Sequence, residues 1–264
     1  MSTSETLPDD HLRITYNEVH LLLRDVADRV KQHFGNPDIM VAIGGGGFFP
    51  ARVLRTFLKV PSKVDPSRMR SIPIQAIGLS LYEEIAGTSA EKMGTEVVRT
   101  QWLDNRQIAG EKSGSNNNQQ PKLEEGKDAG GLLGKSILIV DEVDDSRTTL
   151  QYAYHELLKD VRQALDALPA SVRDTLPPTR FAIAVVNNKQ KTKKGQLPII
   201  EPEQFVASGA KEEFDGHVGT GVWYFAGQTI QDEWMEYPWE QEDILEHERL
   251  AALAHKLKST NQRA

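Results

Sequence analysis

The 264-residue sequence contains no cysteine. Disulfide scaffolds, thiolate nucleophiles, cysteine-ligated zinc and iron–sulfur clusters are therefore excluded together. Its seven histidines show no metal-ligand spacing such as His-x-x-x-His, so none of them is assigned to a metal. Thiol chemistry and cysteine–histidine metal centres are thus not among the functions to consider.

An excess of positive charge and a long apolar run are also missing. Lys and Arg number 31 against 38 Asp and Glu, which gives a formal net charge of −7 at pH 7, whereas non-specific nucleic-acid binding depends on basic charge. No stretch approaches the roughly 18 apolar residues of a membrane-spanning helix. The first ten residues have neither the positive region nor the apolar run of a secretory signal. We therefore expect a cytoplasmic protein with no nucleic-acid partner and no membrane partner.

Hydrophobic patterning indicates an α/β fold. Short, nearly continuous apolar runs, typical of buried parallel strands, alternate with segments of helical spacing. Thr15 and Glu18 form the signature of a capping box at the start of the first helix. The predicted strands are 38–43, 72–79, 96–103, 136–140 and 181–186, and the predicted helices follow Thr15 and begin near Phe48, Thr148 and Glu240. We expect a twisted, mainly parallel sheet with helices on both faces.

Two segments interrupt this alternation. Residues 105–131 are rich in Asn, Gln, Gly, Lys and Glu and contain no aromatic residue. Such a stretch cannot bury enough apolar surface to order itself, so we expect a flexible insertion. Residues 209–221 form a smaller interruption. The chain from 12 to 250 is expected to be a single domain between disordered tails at 1–11 and 259–264.

An acidic cluster follows the strand at 136–140. Residues 137–150 read Ile-Leu-Ile-Val-Asp-Glu-Val-Asp-Asp-Ser-Arg-Thr-Thr-Leu, and ligands of parallel α/β sheets bind outside the carboxyl ends of strands. The adjacent carboxylates of Asp141 and Glu142 repel each other unless hydroxyls or a cation lie between them, which suits a ribose diol or a hydrated magnesium ion. The hydroxyls and free amides that follow Asp145 open the next helix and suit a phosphate group. Together these features indicate a sugar-phosphate site, although each alone is also typical of a solvated acidic pair or an ordinary helix cap.

Four consecutive glycines, Gly44, Gly45, Gly46 and Gly47, separate the first predicted strand from the next helix. Without side chains, their backbone amides can approach an anion closely. The dinucleotide fingerprint Gly-x-Gly-x-x-Gly fails, because the sixth residue from Gly44 is Phe49, and no Gly-Lys-Ser/Thr completes a Walker loop. The run therefore favours an anion-binding loop, with a simple tight turn as the structural alternative.

Residues 137–149 resemble the phosphoribosyl pyrophosphate (PRPP) motif of the type I phosphoribosyltransferases: four apolar residues, two acids, two variable positions, then Asp-Ser/Thr-x-x-Thr. Within that family the sequence is most similar to the fungal enzymes for 6-oxopurines, from about residue 14 to residue 247. The resemblance implies a purine salvage enzyme that transfers the 5-phosphoribosyl group from PRPP to N9 of xanthine, hypoxanthine or guanine. It also implies Mg²⁺ as cofactor, a homodimer or homotetramer, a PRPP-binding core at about 36–190, and a small purine-binding hood of C-terminal segments at about 190–245.

The resemblance assigns the catalytic and PRPP-binding roles to single residues. Asp145 would accept the proton from purine N7 as the general base. Asp141 and Glu142 would hold the ribose hydroxyls and, with Glu240, magnesium. Tyr82 would stand in the family's flexible catalytic loop, which begins near residue 77 and ends near residue 95. The residues implied to bind PRPP are Gly44, Gly45, Gly46, Gly47, Tyr82, Asp144, Ser146, Arg147, Thr148, Thr149 and Lys193.

The purine would be bound by three further residues. By resemblance, Lys189 donates a hydrogen bond to the 6-oxo group, and a donor there rejects the amino group of adenine. Trp234 would stack on the purine, an interaction of roughly 1–3 kcal/mol, and Met235 would offer backbone contacts. Taken alone, the lysines that begin at Lys189 are typical of a solvated surface, and the aromatic residues around Trp234 of a packed core.

Two other functions remain open. A PRPP-binding regulator would bind the ligand without turnover, which the net charge and the lack of a DNA-binding extension disfavour. A phosphoribosyltransferase for orotate or uracil would need a different hood, which Lys189 and Trp234 disfavour. Pyrophosphate release in the presence of hypoxanthine, guanine, xanthine or adenine distinguishes these functions, and the preference among the three 6-oxopurines stays open.

Overall fold

The computed structural model describes residues 6–62, 64–84, 91–103 and 131–261. Residues 105–130 of the expected insertion, and the tail residues 1–5 and 262–264, lie outside these ranges. The strands are β1 (Leu12–Arg13), β2 (Ile39–Ile43), β3 (Lys59–Pro61), β4 (Met69–Ser71), β5 (Ile74–Glu84), β6 (Glu91–Gln101), β7 (Ser136–Asp144), β8 (Thr179–Lys189), β9 (Ile199–Ile200), β10 (Phe214–Asp215), β11 (Val218–Ile230) and β12 (Met235–Glu236). The helices are α1 (Tyr16–His33), α2 (Phe48–Phe57), α3 (Thr148–Asp166), α4 (Ala170–Arg173), α5 (Pro202–Ser208) and α6 (Ile244–Asn261), and Pro238–Glu240 forms a 3-10 turn.

A central sheet organises the described residues in the order β10-β11-β8-β7-β2-β5-β6, and β9 also pairs with β11. The five pairings that involve β2, β5, β7, β8, β9 and β11 among themselves are parallel, whereas β6 and β10 run antiparallel to their neighbours. The expected mainly parallel α/β sheet is confirmed.

Both faces of this sheet are covered by helices. Successive side chains of a strand point to opposite faces, and all five residues of β2 are buried. Val41 and Ile139 pack with Tyr154 of α3 on one face. Met40 and Leu138 pack with α1 and α2 on the other. Burial on both faces explains why these strands read as continuous apolar runs. Within the described ranges, no helix has the length and apolar character to cross a bilayer.

The strands β5 and β6 are longer than the sequence suggests. They form an antiparallel pair that extends to Glu84 and resumes at Glu91, so much of the expected catalytic loop at 77–95 has strand backbone. Tyr82 lies in β5, and its side chain is outside the described part of the structure. Residues 209–221 also differ from the expected interruption, because β10 pairs with the start of β11 and extends the sheet edge.

The hood combines the two ends of the chain. The N-terminal strand β1 pairs in parallel with β12, and α6 packs beside β1. Part of the segment expected to form the hood, from about 190 to 245, lies in the central sheet, because β11 has a buried apolar run and pairs with β8. The described residues of the expected tails also make contacts: Asp9 and His11 bond to Arg13 and Glu236, and α6 continues to Asn261.

Candidate active site

The acidic pair lies at the carboxyl end of β7, as the sequence predicts. Asp141 Oδ1 accepts a hydrogen bond from the backbone N–H of Glu142 at 2.9 Å, and Glu142 Oε2 accepts one from Trp239 Nε1 at 2.9 Å. Burial raises the pKa of Asp141 to about 8, with a smaller contribution from the charge of Glu142. Burial also raises the pKa of Glu142 to about 7, with Glu240 adding to the effect. The pair is therefore short of positive charge and suited to a cation or a diol.

The glycine loop lies directly against Glu142 of this pair. A Cβ on Gly46 would overlap the side chain of Glu142, so glycine is required for the loop to approach the carboxylate. Gly44 donates its N–H to Ile77 and Gly47 donates its N–H to Ile43. The amides of Gly45 and Gly46 have no acceptor within the part of the chain that the structure describes. Two unpaired amides beside two carboxylates can bind an anion next to a diol or cation.

Alanine substitutions at Gly46 and Gly47 are expected to cause different losses of stability. A Cβ on Gly47 would overlap the carbonyl oxygen of Val140 and lie 2.7 Å from that of Ile43. Because backbone atoms cannot move aside, Gly47→Ala is expected to lower the free energy of unfolding by about 3 kcal/mol, the upper range for overpacking. Gly46→Ala is expected to cost less, since the Glu142 side chain can rotate. Urea unfolding measures both, and equal losses in the two variants would contradict this account.

The chain after β7 turns into α3 through a partly buried, hydroxyl-rich loop. Arg147 has a left-handed backbone with φ 68° and precedes the first residue of α3. Ser146 Oγ donates to Thr148 Oγ1 at 3.0 Å. The N–H groups of Thr149 and Leu150 have no acceptor among the described residues. An open helix start with three hydroxyls is a favourable phosphate site, and the structure places Ser146, Thr148 and Thr149 together at that start.

The segment from Lys193 to Gly195 donates hydrogen bonds to the backbone carbonyls of this loop. Lys193 Nζ donates to the carbonyl oxygens of Asp144 at 2.6 Å and Asp145 at 2.9 Å. The amides of Lys194 and Gly195 both donate to the carbonyl of Ser146 at 3.0 Å. This placement differs from the expectation that Lys193 reaches pyrophosphate, because its ammonium is engaged by loop carbonyls that need donors. Lys193 supports the phosphate loop from inside.

Asp144 also differs from the expectation that it binds PRPP. Its side chain has no exposed surface, and its Oδ2 accepts hydrogen bonds from Arg147 Nη2 at 2.7 Å and from the Tyr224 hydroxyl at 2.8 Å. These bonds hold the Arg147 guanidinium over the Tyr224 ring, where its side chain is largely buried. The two residues predicted as ligand contacts form a buried pair that fixes the left-handed turn.

Asp145 forms a cluster with residues from two other segments. Lys191 Nζ lies 2.7 Å from Asp145 Oδ1 and 2.9 Å from Asp232 Oδ1. Lys189, whose side chain is only 12 % exposed, places Nζ 3.9 Å from Asp145 and 4.0 Å from Asp232. The structure thus brings Asp145 and Lys189 together beside Asp232, which lies two positions before Trp234 in the sequence. The sequence does not predict that Lys191 and Asp232 belong to this cluster, because a lysine run and an isolated acid carry no signal of pairing across 41 residues.

The hood presents an exposed aromatic surface next to an open strand edge. The Trp234 side chain is 63 % exposed, which leaves a ring face available for a planar ligand. Leu12 and Ile14 donate their N–H groups to the carbonyls of Trp234 and Glu236. Since alternate residues of a strand direct their peptide groups to opposite sides, the N–H and C=O of Met235 lie on the edge away from β1. This is the arrangement that backbone recognition of a base requires.

An ion-pair network anchors β12 to the N-terminal segment. Arg13 bonds Asp9 with both terminal nitrogens at 2.8 Å and places Nε 3.0 Å from Glu236, and His11 lies 2.5 Å from the same Glu236 carboxylate. The hydrogen bond from Arg13 lowers the pKa of Asp9 to about 2. Asp9, His11 and Glu236 are close enough to share a metal ion, but the Arg13 guanidinium already satisfies both acids. This network positions the hood.

Magnesium was expected at Asp141, Glu142 and Glu240. Among the described residues, these three carboxylates do not form a compact three-ligand group, and one Glu240 oxygen accepts the N–H of Tyr237 at 3.1 Å. Mg²⁺ binds well through one or two carboxylates, water and substrate phosphates. The half-buried pair at Asp141 and Glu142 fits that ligand type, and Glu240 contributes negative charge nearby.

An acidic strand end, a glycine loop and an open helix start on a parallel sheet define an α/β protein that binds a phosphorylated sugar. The chain is 39 % identical over 244 residues to xanthine phosphoribosyltransferase 1 of Saccharomyces cerevisiae, covering 92 % of this chain and 96 % of that protein. It is 41 % identical over 248 residues to the hypoxanthine-guanine phosphoribosyltransferase of Schizosaccharomyces pombe, covering 94 % and 97 %. The chain therefore belongs to the family of the fungal xanthine and hypoxanthine-guanine phosphoribosyltransferases, which are purine salvage enzymes.

A solved structure agrees with this assignment of the fold. The chain is similar to a hypothetical protein from Neisseria gonorrhoeae that was crystallised with bound ppGpp, with a TM-score of 0.57 and 30 % sequence identity. The similarity covers 95 % of this chain and 99 % of that one. No protein-family model matches the chain.

Proposed function

We propose that this protein transfers the 5-phosphoribosyl group from PRPP to N9 of a 6-oxopurine and releases pyrophosphate. The observation that carries the proposal is the position of Asp145, whose carboxylate lies 3.9 Å from the Lys189 ammonium and directly before the open start of α3. A proton acceptor, a donor for a purine oxygen and a phosphate cradle therefore meet at one edge of the sheet. Regulators that only bind PRPP have no use for the first of these groups.

The part of the site that binds PRPP would consist of three neighbouring sets of residues, one each for the pyrophosphate, the ribose and the 5′-phosphate. The free amides of Gly45 and Gly46 bind pyrophosphate, and Asp141 and Glu142 accept hydrogen bonds from the ribose hydroxyls. Their negative charge also stabilises the cationic sugar as the bond to pyrophosphate breaks. The hydroxyls of Ser146, Thr148 and Thr149, together with the free amides there, hold the 5′-phosphate.

Magnesium fits the acidic pair on the chemistry of its donors. Carboxylate oxygens are the ligands that Mg²⁺ prefers, and burial raises the pKa values of Asp141 and Glu142, an effect that a bound cation would oppose. When bound with PRPP, the ion would supply positive charge to the leaving pyrophosphate. The protein's own part is to hold both carboxylates against the glycine loop.

The purine end would be built by the hood and the β8 edge. Trp234 offers its exposed face for stacking, the peptide groups of Met235 bind the ring edge, and Lys189 donates to the 6-oxo group. Asp145 then accepts the N7 proton as N9 attacks the sugar. The similar Neisseria protein binds ppGpp, a guanine nucleotide with two diphosphate groups, which supports a site that accommodates a purine together with linked phosphates.

The direct test measures pyrophosphate release with PRPP, Mg²⁺ and each of hypoxanthine, guanine, xanthine and adenine. We expect turnover with at least one 6-oxopurine and none with adenine. Lys189→Met is expected to lower kcat/KM for the preferred base by about tenfold to a hundredfold, the effect of losing a hydrogen bond from a charged donor. The exposed Lys211→Met serves as the control and should match the wild type. Binding of PRPP without release of pyrophosphate would favour the regulator instead.

We also propose that the enzyme is a homodimer or homotetramer and works in the cytoplasm. Tyr16, Phe48 and Phe49 leave nearly half of their surface exposed on neighbouring elements, and exposed apolar patches mark association surfaces. Sedimentation velocity tests the assembly, and a strict monomer at micromolar concentration would contradict it.

A further inference from the structure

Trp239 is an aromatic residue that the proposed chemistry does not use directly. Its ring is stacked between Tyr237, at a centroid distance of 4.8 Å and 12° between planes, and Phe49, at 5.2 Å and 9°. Its indole Nε1 donates a hydrogen bond of 2.9 Å to Oε2 of Glu142. The stack fixes the indole plane, and the indole fixes one oxygen of a carboxylate that the proposed function places on the ribose.

The residues around this contact come from three separate parts of the site. Phe49 is the second residue of α2, just after the glycine loop. Glu142 lies two residues before the end of β7, and Tyr237 and Trp239 belong to the hood. Glu142 is confined on its other side by Gly46, where a Cβ would overlap it. The Tyr237 hydroxyl lies 3.1 Å from the Glu142 carbonyl oxygen. The Glu142 carboxylate therefore lies between the glycine loop and the hood. Among the described residues, Trp239 is the side chain that donates a hydrogen bond to it.

We propose that Trp239 is a positioning residue for PRPP: its indole N–H holds the Glu142 carboxylate in the orientation that receives the ribose hydroxyls. The proposal rests on the role that the proposed function gives to Glu142. Without the indole N–H, Glu142 is free to rotate out of the gap beside Gly46, and ribose binding weakens. The purine platform at Trp234 and Met235 is formed by other contacts, so binding of the base is unaffected.

Trp239→Phe tests this directly, because phenylalanine keeps a flat ring in the stack and removes only the hydrogen bond. We expect KM for PRPP to rise by about tenfold or more, in line with the loss of a hydrogen bond to a charged group. KM for the purine should stay within about twofold of the wild type, since this bond touches no purine-binding residue. Trp223→Phe is the matched control, because Trp223 Nε1 also donates to a glutamate, Glu212, at 3.1 Å, outside the site. That variant should lose stability and keep both KM values.

A double-mutant cycle with Glu142→Ala separates positioning from general structural support. Glu142→Ala alone should raise KM for PRPP, and adding Trp239→Phe to it should cause no further rise. Additive effects, or an unchanged KM for PRPP in a Trp239→Phe protein that unfolds at the wild-type temperature, would overturn the positioning role and leave the proposed function intact. If Glu142→Ala itself keeps the wild-type KM for PRPP, the role of Glu142 in the proposed function fails as well.

Discussion

Replacing Asp145 with alanine is expected to slow the chemical step by about two to four orders of magnitude, the usual range for the loss of a general base. The Asp145 carboxylate is held by Lys191 at 2.7 Å, yet its side chain is 49 % exposed. It is therefore fixed in position and still open to the N7 proton of a bound purine. The single-turnover rate at saturating PRPP and hypoxanthine is the appropriate measurement, because product release can limit kcat.

Asp232 provides the control for this experiment. Asp232→Ala removes the other carboxylate that Lys191 binds and leaves Asp145 in place. An exposed ion pair contributes at most about 1 kcal/mol, so the rate should fall by no more than about fivefold. A near-wild-type rate in Asp145→Ala, or an equal loss in both variants, would remove Asp145 from the proton transfer and assign the effect to the lysine cluster.

Much of the site could be predicted because its signals are local in the sequence. The capping box of Thr15 and Glu18 forms as expected, and the glycine loop follows a buried strand and opens α2. The acids at Asp141 and Glu142 stand at the strand end because four buried apolar residues precede them. Each of these inferences needs only neighbouring residues and the rule that ligands bind at the carboxyl ends of parallel strands.

The remaining features depend on contacts between distant segments. The pairing of β1 with β12 joins residues more than 220 positions apart, and neither two-residue strand has a pattern of its own. Asp144 and Asp145 are identical in type and adjacent, and the first is buried against Arg147 and against Tyr224 of the distant strand β11. Lys193 likewise turns inward because loop carbonyls lie within its reach. A single sequence contains no information about which of several like charges meets a buried partner.

The ligand-free protein is expected to lose thermal stability between pH 6 and pH 8 through Asp141 and Glu142, by several degrees at about 2–4 °C per kcal/mol for a domain of this size. Burial raises the pKa of Asp141 from 3.8 to about 8 and that of Glu142 from 4.5 to about 7. Between the lower and the higher values the folded state binds more protons than the unfolded chain, so stability falls as pH rises. Calorimetry without Mg²⁺ at constant ionic strength measures the slope.

The double variant Asp141→Asn, Glu142→Gln should have a flatter pH dependence than the wild type. At pH 8 it should also unfold at a higher temperature than the wild type, because its amides carry no charge to desolvate. Asp166→Asn, at an exposed acid on α3, should keep the wild-type slope. If the thermal stability of the double variant changed with pH as steeply as that of the wild type, the acidic pair would be solvated and its ionisation would not destabilise the fold.

The same double variant is expected to lose catalysis while it gains stability. Two adjacent half-buried carboxylates disfavour the ligand-free fold at pH 8, and groups that cost stability in this way are typical of binding and catalytic sites. Mg²⁺ together with PRPP should restore the lost stability in the wild type, and more at pH 8 than at pH 6, since bound positive charge favours the ionised pair. It should stabilise the double variant much less. Equal stabilisation of the two proteins by Mg²⁺ and PRPP would mean that these ligands bind elsewhere, and that the burial of Asp141 and Glu142 has no part in substrate binding.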